Sequence, residues 1–441
     1  GSLAGIELQH GGYCSTNHYS RIPPISPSPI SVDSYDPIQA RAMDKSDIRN
    51  FRKWHRQAAL RSKQAGFDIV YVYAAHSGTL LTHFLSRRIN RRTDEYGGSL
   101  ENRVRLFREL IEDTKDAVGD SCAVAVRFCV EEFLGSQGIT SENEGKEIIE
   151  MLAELPDLWD VNISNWSMDS ATSRFESEGY QEPYMAFVKS MTSKPVVGVG
   201  RFTSPDTMLS LIQRGVMDMI GAARPSIADP FLPKKIEEGR EDEIRECIGC
   251  NICVMSDELS VPISCTQNPT MGEEWRRGWH PERIEPRNSD DGVLVVGGGP
   301  AGLECALALG QRGYRVILAE ASAELGGRVS RESRLPGLAE WGRVRDYRVL
   351  MLERLANVTI YRENPLSPDE IFEFSAEDQF DYSHVMLANG SSWRRNGLGR
   401  IHRNPIPGLD KLKVFTPDDI MDGVLAKGRV VVFDDDHFYM G

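Results

Sequence analysis

The chain has no apolar run approaching the ~20 residues a membrane-spanning helix needs, so no such span is expected. It has no excess of basic residues either. Against 51 Lys and Arg stand 65 Asp and Glu, a formal charge of −14. That balance argues against a nucleic-acid partner and permits a cationic small substrate or a basic protein partner. Cysteine is sparse, eight in 441 residues. Four of the eight (Cys14, Cys122, Cys129, Cys305) are scattered without the pattern of a disulfide framework, which favours a reducing cytoplasm. No internal repeat or low-complexity tract is present, and the opening residues read as an apolar strand, Ala4–Leu8, rather than a secretory signal. The Pro/Ser stretch Ile22–Ser34 reads as a long surface loop. With 40% hydrophobic residues there is ample material for a core.

The other four cysteines form a run, Cys247-Ile-Gly-Cys250-Asn-Ile-Cys253, with Cys265 after eleven intervening residues. Three cysteines two residues apart can wrap one face of an inorganic centre, and a fourth from a nearby loop closes the cage. Four thiolates suit Zn²⁺ or an iron–sulfur cluster; a triple with a distant single ligand leans towards [4Fe–4S].

Up to about residue 235 short apolar strands alternate with amphipathic helices. Strands are expected at Ile6–Leu8, Ile69–Val72, Ala123–Arg127, Val161–Ile163, Val196–Val199 and Met217–Ile220, and helices at Asp47–Ala65, Leu100–Val118 and Ser141–Leu155. Such alternation implies a parallel sheet. The last two strands end in Gly/Arg loops, Gly198-Val-Gly200-Arg201 and Gly221-Ala-Ala223-Arg224, as do strands seven and eight of (β/α)₈ barrels that bind phosphate. The expectation is therefore a TIM barrel over 1–236 with its first two strands missing. A cluster segment and linker would fill 237–288, and a Rossmann-like domain 289–405. That domain opens on a strand, then Gly297-Gly-Gly299-Pro-Ala-Gly302, then a helix, with Glu320 at the end of the next strand. In this setting the glycines let backbone approach a pyrophosphate and the acid can hold a ribose hydroxyl. His384–Leu387 reads as a returning strand. Residues 406–441 would start a further nucleotide-binding-type domain with a strand at Val430–Phe433, although Asp434-Asp-Asp-His437 stands where glycines belong. Both ends read as cuts through folded units, so an internal fragment is expected.

A barrel, a four-cysteine run and a GGGPAG domain together resemble one subgroup of the old yellow enzyme (NADH:flavin oxidoreductase) family. The subgroup holds the trimethylamine, dimethylamine and histamine dehydrogenases and the 2,4-dienoyl-CoA reductases. The most specific pieces are Arg92-Thr-Asp94-Glu-Tyr96-Gly-Gly98-Ser-Leu-Glu-Asn102-Arg103, Gly221-Ala-Ala-Arg224-Pro225, and the run leading into Thr266-Gln267-Asn268. Tyr71-Val-Tyr73-Ala-Ala-His76 and the cysteine triple are similar to the amine dehydrogenases rather than the CoA reductases.

The resemblance implies FMN in the barrel, a [4Fe–4S] cluster on Cys247, Cys250, Cys253 and Cys265, and ADP (or an FAD- or NAD-type nucleotide) in the second domain. It places Arg127 beside the pyrimidine edge of the flavin, where positive charge favours the reduced anion; a structural ion pair with a barrel acid is the rival reading. Glu7 stands where relatives offer Gln or Glu to the flavin ring. Gly200, Arg201, Ala223 and Arg224 are similar to the phosphate cradle, with Arg201 alternatively a surface cation. Tyr73, His76 and Asp169 match the catalytic Tyr–His–Asp set, whose His–Asp pair is thought to tune the Tyr and bias the amine to its neutral form. Trp166 falls at one wall of an aromatic bowl that holds a cation by cation–π contact. A second wall is replaced by Asp257, as in the histamine-type members, or Asp257 simply faces solvent. An aromatic on the electron exit path is expected near Trp341, but Arg343 stands in register.

The implied reaction oxidises a small amine, histamine-like by preference, to an imine that hydrolyses. Electrons would leave through the cluster to an acceptor such as an electron-transfer flavoprotein. A homodimer is expected. Trimethylamine or dimethylamine demethylation, NADPH-fed reduction of enoyl thioesters, and a non-catalytic fragment keeping only the cluster remain as alternatives.

Overall fold

The computed structural model describes residues 1–15, 20–31, 38–377 (backbone alone at 373–377), 382–399 and 401–435. Residues 32–34 of the expected surface loop, and Asp436 and His437 of the acidic segment, lie outside them. Contacts divide the chain into two compact units, 1–241 with 249–265, and 242–248 with 266–441.

The first unit is built on six parallel strands: β1 (Gly5–Leu8), β2 (Ile69–Ala74), β3 (Ala123–Glu131), β4 (Leu158–Ile163), β5 (Val196–Gly198) and β6 (Met219–Ile220). Each pairs with its neighbours in chain order, as strands of a (β/α)₈ barrel do. All six expected strands are present. β2, β3 and β4 are covered on both sides and accordingly read as near-continuous apolar runs with few polar interruptions. Helix α1 (Lys45–Gln64) opens on a capping box in which Asp44 accepts from the Asp47 backbone at 2.8 Å and Asp47 returns the bond at 2.9 Å. After the short α2 (Leu80–Leu85), helix α3 (Leu100–Val118) is capped by Ser99 and stopped by Gly119 at φ +58°. Its buried face (Val104, Phe107, Leu110, Ile111) lies towards the sheet, with Phe107 against Phe128 of β3 at 6.1 Å. Each such side chain contributes about 1.5–3 kcal/mol by leaving water. Helix α4 (Glu144–Leu152) is shorter than its apolar pattern.

The segment 92–103 turns out to be architectural. Arg92 forks onto Asp94 and donates to the Pro27 and Met43 carbonyls. Arg103, almost fully buried, pairs with Glu144 at the start of α4 and donates to the Leu85 carbonyl. These contacts pin α2, α3 and α4 to one another.

The second unit carries a four-stranded parallel sheet of β7 (Gly292–Val296), β8 (Arg315–Ala319), β9 (Val358–Tyr361) and β10 (Tyr382–Leu387), in the order β9-β8-β7-β10. Helix α9 (Pro300–Gln311) follows β7 and α10 (Arg343–Glu353) precedes β9. The parts of the 237–288 segment are shared between the two units. The expected strand Val430–Phe433 is absent. These four residues are exposed, with no neighbouring strand among the described residues to satisfy their backbone groups, so the β-branched run does not become a strand.

Candidate active site

Strained backbone gathers just beyond the strand ends. His76 (φ +59°) and Ser77 follow β2, Phe133 follows β3, Ser164 (φ +46°) follows β4, and Arg201 (φ +59°) follows β5. Left-handed conformations at non-glycine residues persist where function or packing over-determines them. In a barrel of this kind the loops after the strands carry the chemistry.

The turn after β2 brings His76 back over Tyr73, whose hydroxyl bonds His76 Nδ1. On the far side of the ring, Nε2 lies 2.8 Å from Asp169 Oδ2. Asp169 ends α5 (Trp166–Asp169), a single turn capped by Asn165. Burial would raise its carboxyl, but the bond and charge of His76 and the Gln181 amide hold it below the usual range. Gln181 donates to Asp169 Oδ1 at 2.8 Å, and the Tyr180 hydroxyl donates to its carbonyl. Trp166, at the other end of α5, stacks flat on the His76 ring, with centroids at 4.3 Å and planes at 16°. It stays half exposed, so one indole face is free for a ligand.

Strand register sets the second part of the site. Tyr73 of β2, Arg127 of β3 and Asp160 of β4 lie in one row. The Arg127 guanidinium sits 5.9 Å from the Tyr73 ring centre, 3.1 Å from Glu7 and 3.8 Å from Asp160. Burial works against its charge, yet Asp160 and Glu7 outweigh burial and keep it above its ordinary value. The Asp160 carboxyl, buried deeper, is pushed up to about 7 although Arg127 opposes the rise. Arg127 is therefore an ion-paired residue and also a cation facing the Tyr73 row. Its Nε and Asp160 Oδ1 are buried without a hydrogen-bond partner among the described residues, which leaves polar capacity for a bound group. Burial raises the Tyr73 hydroxyl well above the ordinary phenol value, so it holds its proton.

At the phosphate-type loops, a Cβ on Gly221 would collide with Val199, and one on Gly200 would press on Phe202. Arg201 is buried, not a surface cation, and donates to the Glu176 carbonyl at 3.1 Å. Arg224, after the exposed Ala223, spends one terminal nitrogen on the Ser170 and Ala171 carbonyls and Asn251. Among the described residues its other two nitrogens have no hydrogen-bond partner, which leaves them for an anion. These features fit a flavin phosphate.

Cys250, Cys253 and Cys265 belong to the first unit and Cys247 to the second. Cys253, on helix α8 (Ile252–Glu258), has its thiol pushed up first by burial and then by Cys250 and Cys265. Crowded sulfurs of this sort are what a metal centre would relieve, although among the described residues no group of three ligands is gathered closely enough to hold a single ion. Asp257 is exposed in the last turn of α8, and among the described residues its side chain has no hydrogen-bond or ion-pair partner. Arg343 donates to the Cys247 carbonyl and pairs with Glu246 at 2.8 Å.

In the second unit, Gly297 at φ +106° brings β7 against Ala388, and a Cβ on Gly302 would overlap the Gly297 carbonyl oxygen. Gly299, by contrast, faces open space at the start of α9, where a pyrophosphate would approach. Glu320 is fixed by the backbone N–H groups of Gly298 (2.6 Å) and Ser322 (2.7 Å). Each carboxylate oxygen keeps a lone pair for a ribose hydroxyl.

The model of the NADH:flavin oxidoreductase / NADH oxidase family matches residues 1–243. The chain belongs to that family. Residues 295–354 match an NAD(P)-binding Rossmann-like domain. Dimethylamine dehydrogenase of Hyphomicrobium sp. (strain x) is 41% identical over 100% of this chain and 61% of its own length. The structure of histamine dehydrogenase from Rhizobium sp. 4-9 is 51% identical, with a TM-score of 0.93 over 100% of this chain and 64% of that one. That of 6-hydroxypseudooxynicotine amine oxidase from Pseudomonas geniculata N1 is 56% identical, with a TM-score of 0.92 over 96% of this chain and 63% of that one. The chain thus spans about three fifths of the length of these relatives, which place it in the trimethylamine/histamine dehydrogenase subgroup of the family.

Sequence reasoning missed Asn162, Gln181 and Asp160. All three are polar and buried: Asn162 and Asp160 lie within β4, and Gln181 lies in a loop. A polar residue inside an apolar strand was the available signal for the first two; Gln181 carried none.

Proposed function

We propose that the protein is a flavin amine dehydrogenase that takes two electrons and a proton from the carbon next to an amine nitrogen, with the imine then hydrolysing. The observation that carries this reading is the Tyr73–His76–Asp169 chain with Trp166 stacked on its imidazole. FMN, held by Arg127, Glu7, Gly200, Arg201, Ala223 and Arg224, would supply the two-electron acceptor. Trp166 offers its free face to the substrate ammonium. The Tyr73–His76–Asp169 chain takes the proton that the ammonium must lose, since only a neutral amine has electrons to give. Proton movement runs from the amine towards Tyr73, with the ionised Asp169 stabilising a charged His76.

A histamine-like substrate, with a second polar or cationic end, is favoured because Asp257 is an exposed, unpaired acid where bowl-forming relatives carry an aromatic. The four cysteines are proposed to carry a [4Fe–4S] cluster that passes electrons to an acceptor protein such as an electron-transfer flavoprotein. ADP or a related nucleotide would sit at Gly297–Gly302 and Glu320. A homodimer in the cytoplasm belongs to the same proposal; among the described residues no helix is long and apolar enough to cross a membrane. Anaerobic mixing of the holoprotein with histamine or trimethylamine tests the reading. Bleaching of the flavin band by histamine supports it, bleaching by trimethylamine alone transfers it to the demethylating relatives, and bleaching by neither removes it.

A further inference from the structure

His76 is gripped at both ring nitrogens, and the grip on Nε2 is double. Nδ1 meets the Tyr73 hydroxyl, while Nε2 lies 2.8 Å from Asp169 and 2.7 Å from the side-chain amide of Asn162. The Asp169 carboxylate is ionised, kept so by its His76 and Gln181 contacts, and can only accept. Nε2 therefore carries a hydrogen. A nitrogen that carries a hydrogen in the ring plane cannot also accept from an amide N–H. Which outer atom of an asparagine is oxygen follows from its hydrogen bonds. With the nitrogen facing the ring, two donors oppose each other at Nε2. The Asn162 oxygen, on a side chain with no exposed surface, then also lacks any partner among the described residues. Turning the amide over removes the clash and gives that oxygen a donor.

We infer that Asn162 is a positioning residue for His76: its amide oxygen shares the Nε2 hydrogen with Asp169 and so leaves Nδ1 bare to accept from Tyr73. The inference rests on the Tyr73–His76–Asp169 reading above. As Tyr73 takes the proton that leaves the ammonium nitrogen, its own hydroxyl proton passes to Nδ1: one amine N–H and one phenol O–H break, one phenol O–H and one imidazole N–H form, and Tyr73 ends still protonated. The resulting imidazolium keeps its Nε2 hydrogen between two oxygens. Asp169 alone fixes one direction of that bond; Asn162, coming from β4 instead of α5, fixes the ring against tipping about it. Trp166 closes one face of the same ring.

The test uses holoprotein labelled with ¹⁵N-histidine, with His76 assigned by comparison with H76Q. Ring-nitrogen spectra of the wild type should show hydrogen on Nε2 and none on Nδ1. In N162L, which has similar volume and no polar atom, Asp169 still holds the Nε2 hydrogen, but the ring loses its second acceptor, so the Nε2 resonance should shift and broaden. The kcat for amine oxidation should then fall about tenfold, a part of the 10²–10⁴ that a well-placed acid–base group supplies. N162D keeps an oxygen towards Nε2 and should restore the wild-type resonance. Hydrogen on Nδ1 in the wild type, or an unchanged spectrum in N162L, overturns the inference. The wild-type spectrum decides even if N162L does not fold. Failure of the amine reading looks different: no amine bleaches the wild-type flavin, whatever the ring spectra show.

Discussion

Replacing Tyr73 by Phe keeps the ring over Arg127 but removes the hydroxyl on His76 Nδ1. A fall in kcat/KM of about 10²-fold or more is expected, with FMN content unchanged, measured by steady-state amine oxidation. Asp160 makes a pH prediction. Its carboxyl is raised from 3.8 to about 7 in the folded protein, so the fold binds this proton more tightly than the unfolded chain does. The associated stability is complete below about pH 4 and disappears as pH rises through about 7. D160N, which cannot ionise, should therefore gain in Tm relative to the wild type as pH rises from about 4 to about 7; a difference that is flat over that range would contradict the assignment. Sequence made Tyr73, His76 and Arg127 legible because each lies at or just after the end of an expected apolar strand and matches the residues of the family it resembles. It could not show Asn162 or Asp160 beside them, because their meaning depends on the register of β3 against β4 and on what faces them across the barrel.

Among the elements, the six strands of the first sheet, β7, β8 and β10 of the second, and helices α1 and α3 were readable from periodicity, caps and β-branched runs, since those signals are local; β9 and α10 were not anticipated. One failed expectation is instructive. Val430–Phe433 has strand-forming residues but no strand to pair with, and a β-strand is a property of its neighbours as much as of itself. The motif 92–103, one of the pieces that carries the family resemblance, serves architecture: its arginines are spent on carbonyls, on Asp94 and on Glu144. Replacing Glu144 by Ala strands a nearly fully buried Arg103. Breaking a buried pair in this manner costs about 3–5 kcal/mol. Urea unfolding should show the loss as a lower midpoint with an unchanged slope, whereas a shift near zero would mean that Arg103 finds another partner.

For the molecule as a whole, cofactors should be separable by single changes. G302A forces a Cβ into the Gly297 carbonyl. It should cost the bound nucleotide, measured by release and chromatography after denaturation, while the flavin spectrum survives. C265S should remove the broad cluster absorption and stop electron delivery to an external acceptor, yet leave amine bleaching of the flavin in place; loss of bleaching as well would give the cysteine a structural role in the barrel. The sequence by itself determined the strand–helix alternation, the glycine turn with its acid, and the spacing of the cysteines, because each depends on residues near one another along the chain. Tertiary structure decided the rest. It joined Asp169 and Asn162 to His76, set Arg127 among Glu7, Asp160 and Tyr73, and buried Arg201, because these contacts span 25 to 120 residues of sequence and exist only once neighbouring strands are in register.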